Sequence, residues 1–398
     1  MEERITEQSP IRILIVNNNM HIGGVQKALV NLLKEIVDSY EVTLLLFYPE
    51  GELLSDIPNG VHIVSAAPVF RPCGMTSSDV KNLPELVVRS LCAAVTRVLG
   101  RKWLARFQSL FQKKLKGYDV AVSFLHSGND HAFYGGCNEF VLNCIEARKK
   151  VCFIHCDYEK INADSAYNRK VYSKFDVIAA CSSGSRASFL NVNPFLDKKT
   201  AVVHNCHDYS MIHSMAALSN PIVDSGKLNV VSVCRFGKEK GILRALRAIS
   251  EMGSAIQGLH YYLIGDGIEY AEAESLISAL GLEDTVSLLG EMINPYGYLK
   301  IADLLLIPSF SEAAPMVIGE SACLGTPVLT TRTCSSVEMV ERPGYGWICE
   351  NSEKGILEGL QYIMSNPEKL QMQREALTHM HFDNRQALDE FASVIKSV

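Results

Sequence analysis

Three stretches of this sequence place reactive side chains at spacings that could do chemistry. In VSVCRFGKEKGILRALRAI (231–249), Arg235 follows an apolar run and Lys240 comes five residues later, just as a helical pattern opens at Gly241. Two cations at the head of a strand–loop–helix unit can clamp a diphosphate and stabilise the charge it gains on leaving. Taken alone, the same spacing also reads as a solvated basic loop. In IPSFSEAAPMVIGESACLGTPVLTT (307–331), Glu312 lies in a predicted loop. A helix beginning near Pro315 then carries Glu320 among Met316, Val317, Ala322 and Cys323. Leaving such a carboxylate buried without a partner costs about 3–5 kcal/mol, and the hydroxyls of a sugar or ribose are suitable partners. In NNNMHIGGVQKALVNLL (17–33), Gly23 and Gly24 precede a helix whose first amides can face an anion. This is not the G-x-G-x-x-G dinucleotide fingerprint, and a Gly-Gly before a helix is by itself a tight turn.

The elements that must position these groups alternate along the chain. Apolar runs occur at 11–16, 42–47, 61–64, 119–125, 151–155, 175–181 and 200–204, and again at 228–234, 260–265, 284–290, 302–308 and 326–331. Most are continuous aliphatic or β-branched runs, which strands covered on both faces require. Helical patterns lie between them, as in VQKALVNLLKEIV (25–37) and GILRALRAISEM (241–252). This alternation predicts an α/β fold of doubly wound parallel sheets. The series breaks at 207–227, where Asn220, Pro221, Asp224, Ser225 and Gly226 read as a turn-rich linker. The predicted organisation is a Rossmann-like domain over 1–216 and a second Rossmann-like domain over 217–380. A C-terminal helix over 381–398 is placed to pack back on the first. The two domains are expected to face each other across a cleft, with ligands beyond the carboxyl ends of the strands.

Composition bounds the function. The 398 residues carry a formal charge of −6, which argues against a nucleic-acid coat. No apolar run reaches the roughly 18–20 residues that span a bilayer. The acidic, polar start MEERITEQSP does not read as a signal peptide, so a cytoplasmic protein is expected. The twelve cysteines form no C-x2-C pair and read as reduced, mostly buried thiols. The charge is uneven: up to Ala216 there are 24 basic and 21 acidic residues, and from Ala217 onward 14 and 23. Between Leu86 and Tyr118 there are eight basic residues and no acid. Trp103, Leu104, Phe107, Leu110, Phe111 and Leu115 fall there at helical spacing, predicting a basic amphipathic helix. Such a helix either lies in the surface of an anionic membrane or packs its stripe on its own domain.

The third segment, with Pro308-Ser309, Glu312, Glu320 and the closing L-G-T-P-V, resembles the E-x7-E region of family 4 retaining glycosyltransferases of GT-B architecture. R-F-G-K-E-K-G is similar to that family's R-x4-K phosphate pair, and G-G-V-Q-K to its N-terminal glycine loop. Gly265-Asp266-Gly267 and L-L-G-E-M (288–292) resemble further landmarks in the right order, so the likeness covers nearly the whole chain. The resemblance implies a hexosyltransferase using a nucleotide diphosphate-sugar, with 1–216 as the acceptor-binding domain and 217–380 as the nucleotide-sugar-binding domain. Arg235 and Lys240 would hold the diphosphate, Glu320 the ribose hydroxyls and Glu312 the hydroxyls of the transferred sugar. Backbone around Ala314, Met316 and Val317 would contact sugar and phosphate, and that near Met292 the base. Gly23 and Gly24 would lie at the phosphates across the cleft, and His126, in SFLHSGND at a predicted strand end, near the reacting carbon, with Asp130, His155 and Asp157 as nearby competitors. The segment departs from the family in reading Glu-Ala-Ala-Pro where Glu-Gly-Phe-Gly is common, which leaves the donor sugar open.

Two cations already stand where charge develops on the leaving diphosphate, and no D-x-D dipeptide occurs, so no metal or other cofactor is expected. The resemblance implies retention at the anomeric carbon. Together with the basic segment, it points to a saccharide or lipid-linked acceptor in bacterial surface-polysaccharide assembly, with peripheral contact through 86–118 at the inner face of the plasma membrane. Competing readings are a GT-B-fold phosphorylase or nucleotide-sugar epimerase, a nicotinamide dehydrogenase, and a catalytically inactive binding subunit. The missing dinucleotide fingerprint weighs against the dehydrogenase, and the presence of all four charged groups weighs against the inactive subunit.

Overall fold

The computed structural model describes residues 10–396, so nearly all of the segment read as lacking a signal peptide lies outside the described residues. The chain divides into two compact units, the first ending at Cys206 and resuming at Arg385, the second running His207–Asn384.

The first unit holds seven strands: β1 (Arg12–Asn17), β2 (Glu41–Leu46), β3 (His62–Ser65), β4 (Leu115–Ser123), β5 (Ile145–Ile154), β6 (Val177–Ala180) and β7 (Thr200–Val202). They pair in the order β3-β2-β1-β4-β5-β6-β7, every ladder parallel. The second unit holds β8 (Leu228–Val233), β9 (Leu259–Ile264), β10 (Val286–Gly290), β11 (Leu304–Ile307), β12 (Val328–Thr331) and β13 (Gly346–Cys349). Its order is β10-β9-β8-β11-β12-β13, again all parallel. Each sheet runs outward from its first strand and then reverses to the other side, the doubly wound arrangement expected from the sequence. The continuous apolar runs follow from coverage on both faces. On β11, Leu304 and Leu306 enter one core and Leu305 and Ile307 the other; on β9, Tyr261 and Leu263 part from Tyr262 and Ile264 in the same way.

β13 was not among the predicted strands. Gly-Trp-Ile-Cys is a short edge strand, half-buried throughout, and follows the turn-like ERPGY. Its register requires Gly346, where φ is +155 and a Cβ would lie 1.9 Å from the Val328 carbonyl oxygen. The unit boundary, after Cys206, falls ten residues before the predicted one after Ala216. The intervening helix Tyr209–Ala217 inserts Ile212 and Ala216 into a core of the second unit. The last helix, Arg385–Lys396, is grouped with the first unit, where Phe391 meets Tyr40 edge-on at 6.1 Å and Glu390 accepts from the His204 ring and backbone.

The single amphipathic helix predicted within 86–118 is corrected. Gly100, at φ +83, separates a helix at Leu83–Leu99 from a second at Arg101–Ser109, and Leu115 already belongs to β4. Leu104 is buried in its own unit. Arg101 is buried as well, donating to the carbonyls of Ala132 and Tyr134. The rest of the apolar stripe does face outward: Trp103, Phe107, Leu110 and Phe111 are exposed, as are Leu83, Val87, Leu91 and Val98 on the preceding helix. Among the described residues, no helix is long and apolar enough to cross a membrane.

Candidate functional site

In a doubly wound sheet, the chain reversal opens a crevice beyond the carboxyl ends of the two strands that flank it. In the second unit these are β8 and β11, and the loops leaving them carry the charged motifs. Lys240 Nζ donates to Glu312 Oε1 at 2.7 Å, and the same oxygen accepts from Ser309 Oγ at 2.7 Å. Arg235, two residues beyond β8, pairs with Glu239 at 2.7 Å, and its side chain is 75% exposed. The loops are tied by the Phe310 amide donating to the Glu239 carbonyl and by Gly241, whose φ is +68 and whose Cβ would lie 2.1 Å from the Pro308 carbonyl oxygen. Burial pushes the Lys240 ammonium down, but the charge and hydrogen bond of Glu312, with Cys234 and Glu239 behind them, hold it above the usual lysine value. Lys240 is therefore a fixed cation at the mouth of this crevice.

The helix Met316–Cys323 starts from Pro315 with no side chain capping its first turn, so its leading amides can serve an anion. It carries Glu320, buried at 3% exposure, while Met316 is buried and Ala314, Val317 and Met292 are half-buried nearby in the sequence or along the same core. The structure thus joins Lys240 directly to Glu312 and sets Arg235 on the adjoining loop, while Glu320 lies on the helix that follows.

Three supporting groups had escaped the sequence reading. Glu239 partners Arg235. Arg244, buried, donates through Nε to the Pro308 carbonyl at 2.7 Å and through Nη1 to Asn351 at 2.8 Å, and it lies 3.7 Å over the Phe310 ring, bracing the loop before Glu312. His207 contacts the Met316 carbonyl at 3.1 Å through Nε2, and a Cβ on Gly319 would come within 2.6 Å of that nitrogen. An arginine four positions after Lys240, flanked by Leu243 and Ala245, was the one legible signal among them.

In the first unit the reversal falls between β1 and β4. Gly23 opens the helix Gly24–Ile36 in extended conformation with no side-chain cap, and a Cβ on Gly24 would meet nothing within 4 Å. Of the four competing groups, Asp130 accepts from Ser165 at 2.7 Å and Asp157 from Ser188 at 2.5 Å. His126 Nδ1 and His155 Nε2 are buried without a hydrogen-bond partner. Burial pushes His126 down to about 4, and burial with the nearby His126 pushes His155 down to about 3. Both rings are neutral at pH 7.

These depressed values predict a pH effect on stability. The unfolded chain takes up protons near pH 6.5 that the folded chain refuses, so the contribution is full above that value and falls as pH drops. At pH 5 each histidine costs about 2 kcal/mol, from 1.36 kcal/mol per unit. Urea unfolding at pH 7 and pH 5 should show a loss about 4 kcal/mol smaller in a His126→Gln/His155→Phe double variant than in the parent. Equal losses would mean that these rings titrate normally in the folded chain.

Residues 220–380 match the family model described as glycosyl transferases group 1. The chain is 35% identical over 103 residues to the lipopolysaccharide core biosynthesis glycosyltransferase LpsD of Rhizobium meliloti, covering 26% of this chain and 29% of that protein. It is 26% identical over 273 residues to the N-acetylgalactosamine-N,N'-diacetylbacillosaminyl-diphospho-undecaprenol 4-alpha-N-acetylgalactosaminyltransferase of Campylobacter jejuni, covering 65% and 72%. The chain therefore spans under a third of the first relative's length and nearly three quarters of the second's. Among solved structures, Anabaena HepE in complex with UDP-glucose superposes with a TM-score of 0.69 at 16% identity, over 98% of this chain and all of that one. Residues 220–380 of the second unit thus match the group 1 glycosyl transferase model, and the chain as a whole shares its two-sheet α/β fold with that structure.

Proposed function

We propose that the chain transfers a hexose from a nucleotide diphosphate-sugar to a saccharide carried on a lipid, with retention, during surface-polysaccharide assembly. The observation that carries this reading is the joint placement of Arg235, Lys240 and Glu312 on the two loops that flank the reversal of the second sheet. Breaking the anomeric bond leaves negative charge on the diphosphate. Lys240, Arg235 and the uncapped amides at Met316 and Val317 answer it with groups already in place, so no metal is needed. Glu312 takes the sugar hydroxyls and Glu320 those of the ribose, with the backbone at Ala314 and Met292 completing the donor contacts. Gly24, beside Gly23, leaves room for phosphate oxygens, and neutral His126 offers its free nitrogen to a substrate hydroxyl. Retention rests on the family resemblance alone, and in that picture the departing phosphate oxygen takes the acceptor's proton.

The lipid part of the reading is supported by the exposed apolar side chains of 83–111 beside an acid-free basic run, and by a relative whose name specifies an undecaprenol-linked substrate. It implies a peripheral protein at the inner membrane face. Thermal-shift measurements with UDP, GDP, NAD and pyridoxal phosphate, followed by a nucleotide-sugar hydrolysis screen in EDTA, test the donor side. Stabilisation by one nucleoside diphosphate and turnover in EDTA are expected. Stabilisation by NAD alone would sink the transferase reading, and turnover restored only by magnesium would remove metal independence.

A further inference from the structure

At the amino ends of the first sheet, opposite to His126 and Gly24, β4 and β5 overrun β1. Pairing of β4 with β5 starts at Leu115↔Ile145, whereas β1 joins β4 only at Ile13↔Val120. A register shift between Leu115 and Tyr118, where Gly117 holds φ +92, bends the overhang. It leaves a groove of about 590 Å³ whose wall carries five cations: Arg12, Lys114, Lys116, Arg148 and Lys150. Two carboxylates, Asp119 and Glu146, face the same groove and are already engaged. Asp119 lies 3.7 Å from Arg12 and 3.8 Å from Arg148, and Glu146 lies 3.0 Å from Lys116. That leaves Lys114 and Lys150 with no carboxylate oxygen within 4 Å among the described residues. Asp176 accepts only the Lys150 backbone amide, and the Lys150 ammonium donates to the Leu142 carbonyl at 3.2 Å. Burial and then the Lys114 charge press Lys150 below the usual lysine value, so the two ammoniums repel across a space that an anion would neutralise.

The transfer reading makes no use of this end of the sheet. The surroundings indicate which anion fits. Leu110 and Phe111, 81% and 60% exposed, precede Lys114 by four and three residues, so Phe111 lies within about 11 Å of it along the chain. Trp103 and Phe107 continue the apolar surface. A free phosphate gains nothing from such neighbours, whereas an anionic lipid presents phosphate and hydrocarbon together. We propose that the overhang of β4 and β5 is a binding groove for the phosphate headgroup of an anionic lipid, held by Lys114 and Lys150, with Leu110 and Phe111 at the acyl boundary. The proposal rests on the membrane part of the function given above and narrows it to a discrete site that joins Lys114 of the 86–118 segment to Lys150 outside it.

The test is co-sedimentation of the full chain with phosphatidylcholine vesicles containing or lacking 30% phosphatidylglycerol. Lys114→Glu/Lys150→Glu is compared with the charge-matched Lys102→Glu/Lys113→Glu, and Lys114→Gln/Lys150→Met serves as a milder second variant in case the charge reversal disturbs folding. The groove variants should bind anionic vesicles at least about tenfold more weakly than the matched control. Equal loss in both pairs would overturn the groove while leaving general membrane attraction intact. Failure of the parent chain to bind anionic vesicles would overturn the groove and the membrane reading together. Calorimetric binding of inorganic phosphate that disappears in Lys114→Gln/Lys150→Met, with vesicle binding unchanged, would assign the groove to a soluble anion and overturn the lipid.

Discussion

Arg235→Ala and Lys240→Ala are each expected to lower kcat/KM by about a hundredfold or more, the usual loss when a preorganised charge is removed from a reacting centre. The two should differ sharply in stability, and that difference makes the pair informative. Arg235 is 75% exposed and its contact with Glu239 is a surface ion pair, so its loss should leave thermal unfolding near that of the parent. Lys240 and Glu312 have side chains only 22% and 10% exposed. Removing the ammonium leaves Glu312 with Ser309 as its nearest polar neighbour, and a buried carboxylate deprived of its cation costs up to about 3–5 kcal/mol. Lys240→Ala should therefore lose both activity and stability, whereas Arg235→Ala should lose activity alone. Steady-state kinetics beside calorimetry separates the two effects. Near-normal kcat/KM for Arg235→Ala, in a protein of unchanged melting temperature, would mean that the diphosphate is held elsewhere.

The Lys240–Glu312 contact also marks where sequence reading stops. The motifs indicated which residues belong to the donor loops, because strand ends and helix starts are readable from apolar runs and their breaks. They did not indicate that the cation assigned to the diphosphate and the acid assigned to the sugar hold each other when no substrate is present. That pairing depends on the approach of two loops 72 residues apart, fixed by the Gly241–Pro308 contact and by Arg244. The strands themselves were legible since both faces of each sheet are covered, so their apolar runs are unbroken. β13 was not, because the four-residue run Gly-Trp-Ile-Cys is too short to stand out behind the turn-like segment that precedes it. The helical stripe of 103–115 misled for a related reason. Its periodicity runs on through Leu115, but the chain leaves the helix after Ser109 and Leu115 enters a strand. The spacing of side chains alone does not record where the backbone turns.

Gly265→Ala should be among the most damaging single-methyl substitutions in the second unit. Gly265 holds φ +138, and a Cβ there would lie 1.8 Å from the Cys234 carbonyl oxygen and 2.9 Å from its carbon. The obstacle is backbone, so no side-chain rotation relieves it. The amide of Gly265 also donates to the Gly290 carbonyl at 2.8 Å, and the Asp266 carbonyl accepts from the Phe236 amide at 2.8 Å, which fastens this turn to the residues on either side of Arg235. Positive-φ strain of about 1–3 kcal/mol and overpacking of about 1–3 kcal/mol sum to roughly 2–6 kcal/mol. At about 2–4 °C per kcal/mol for a unit of this size, melting should fall by about 10 °C. The displacement is directed at the carboxyl end of β8, so kcat/KM should fall with it even well below the melting point. Gly281→Ala is the control: φ there is +66, but a Cβ meets nothing within 4 Å, and the expected cost is only about 1–2 kcal/mol with activity unchanged. If the two variants melt together, positive φ alone accounts for both. The turn at Gly265 would then not be what holds the Arg235 loop in place.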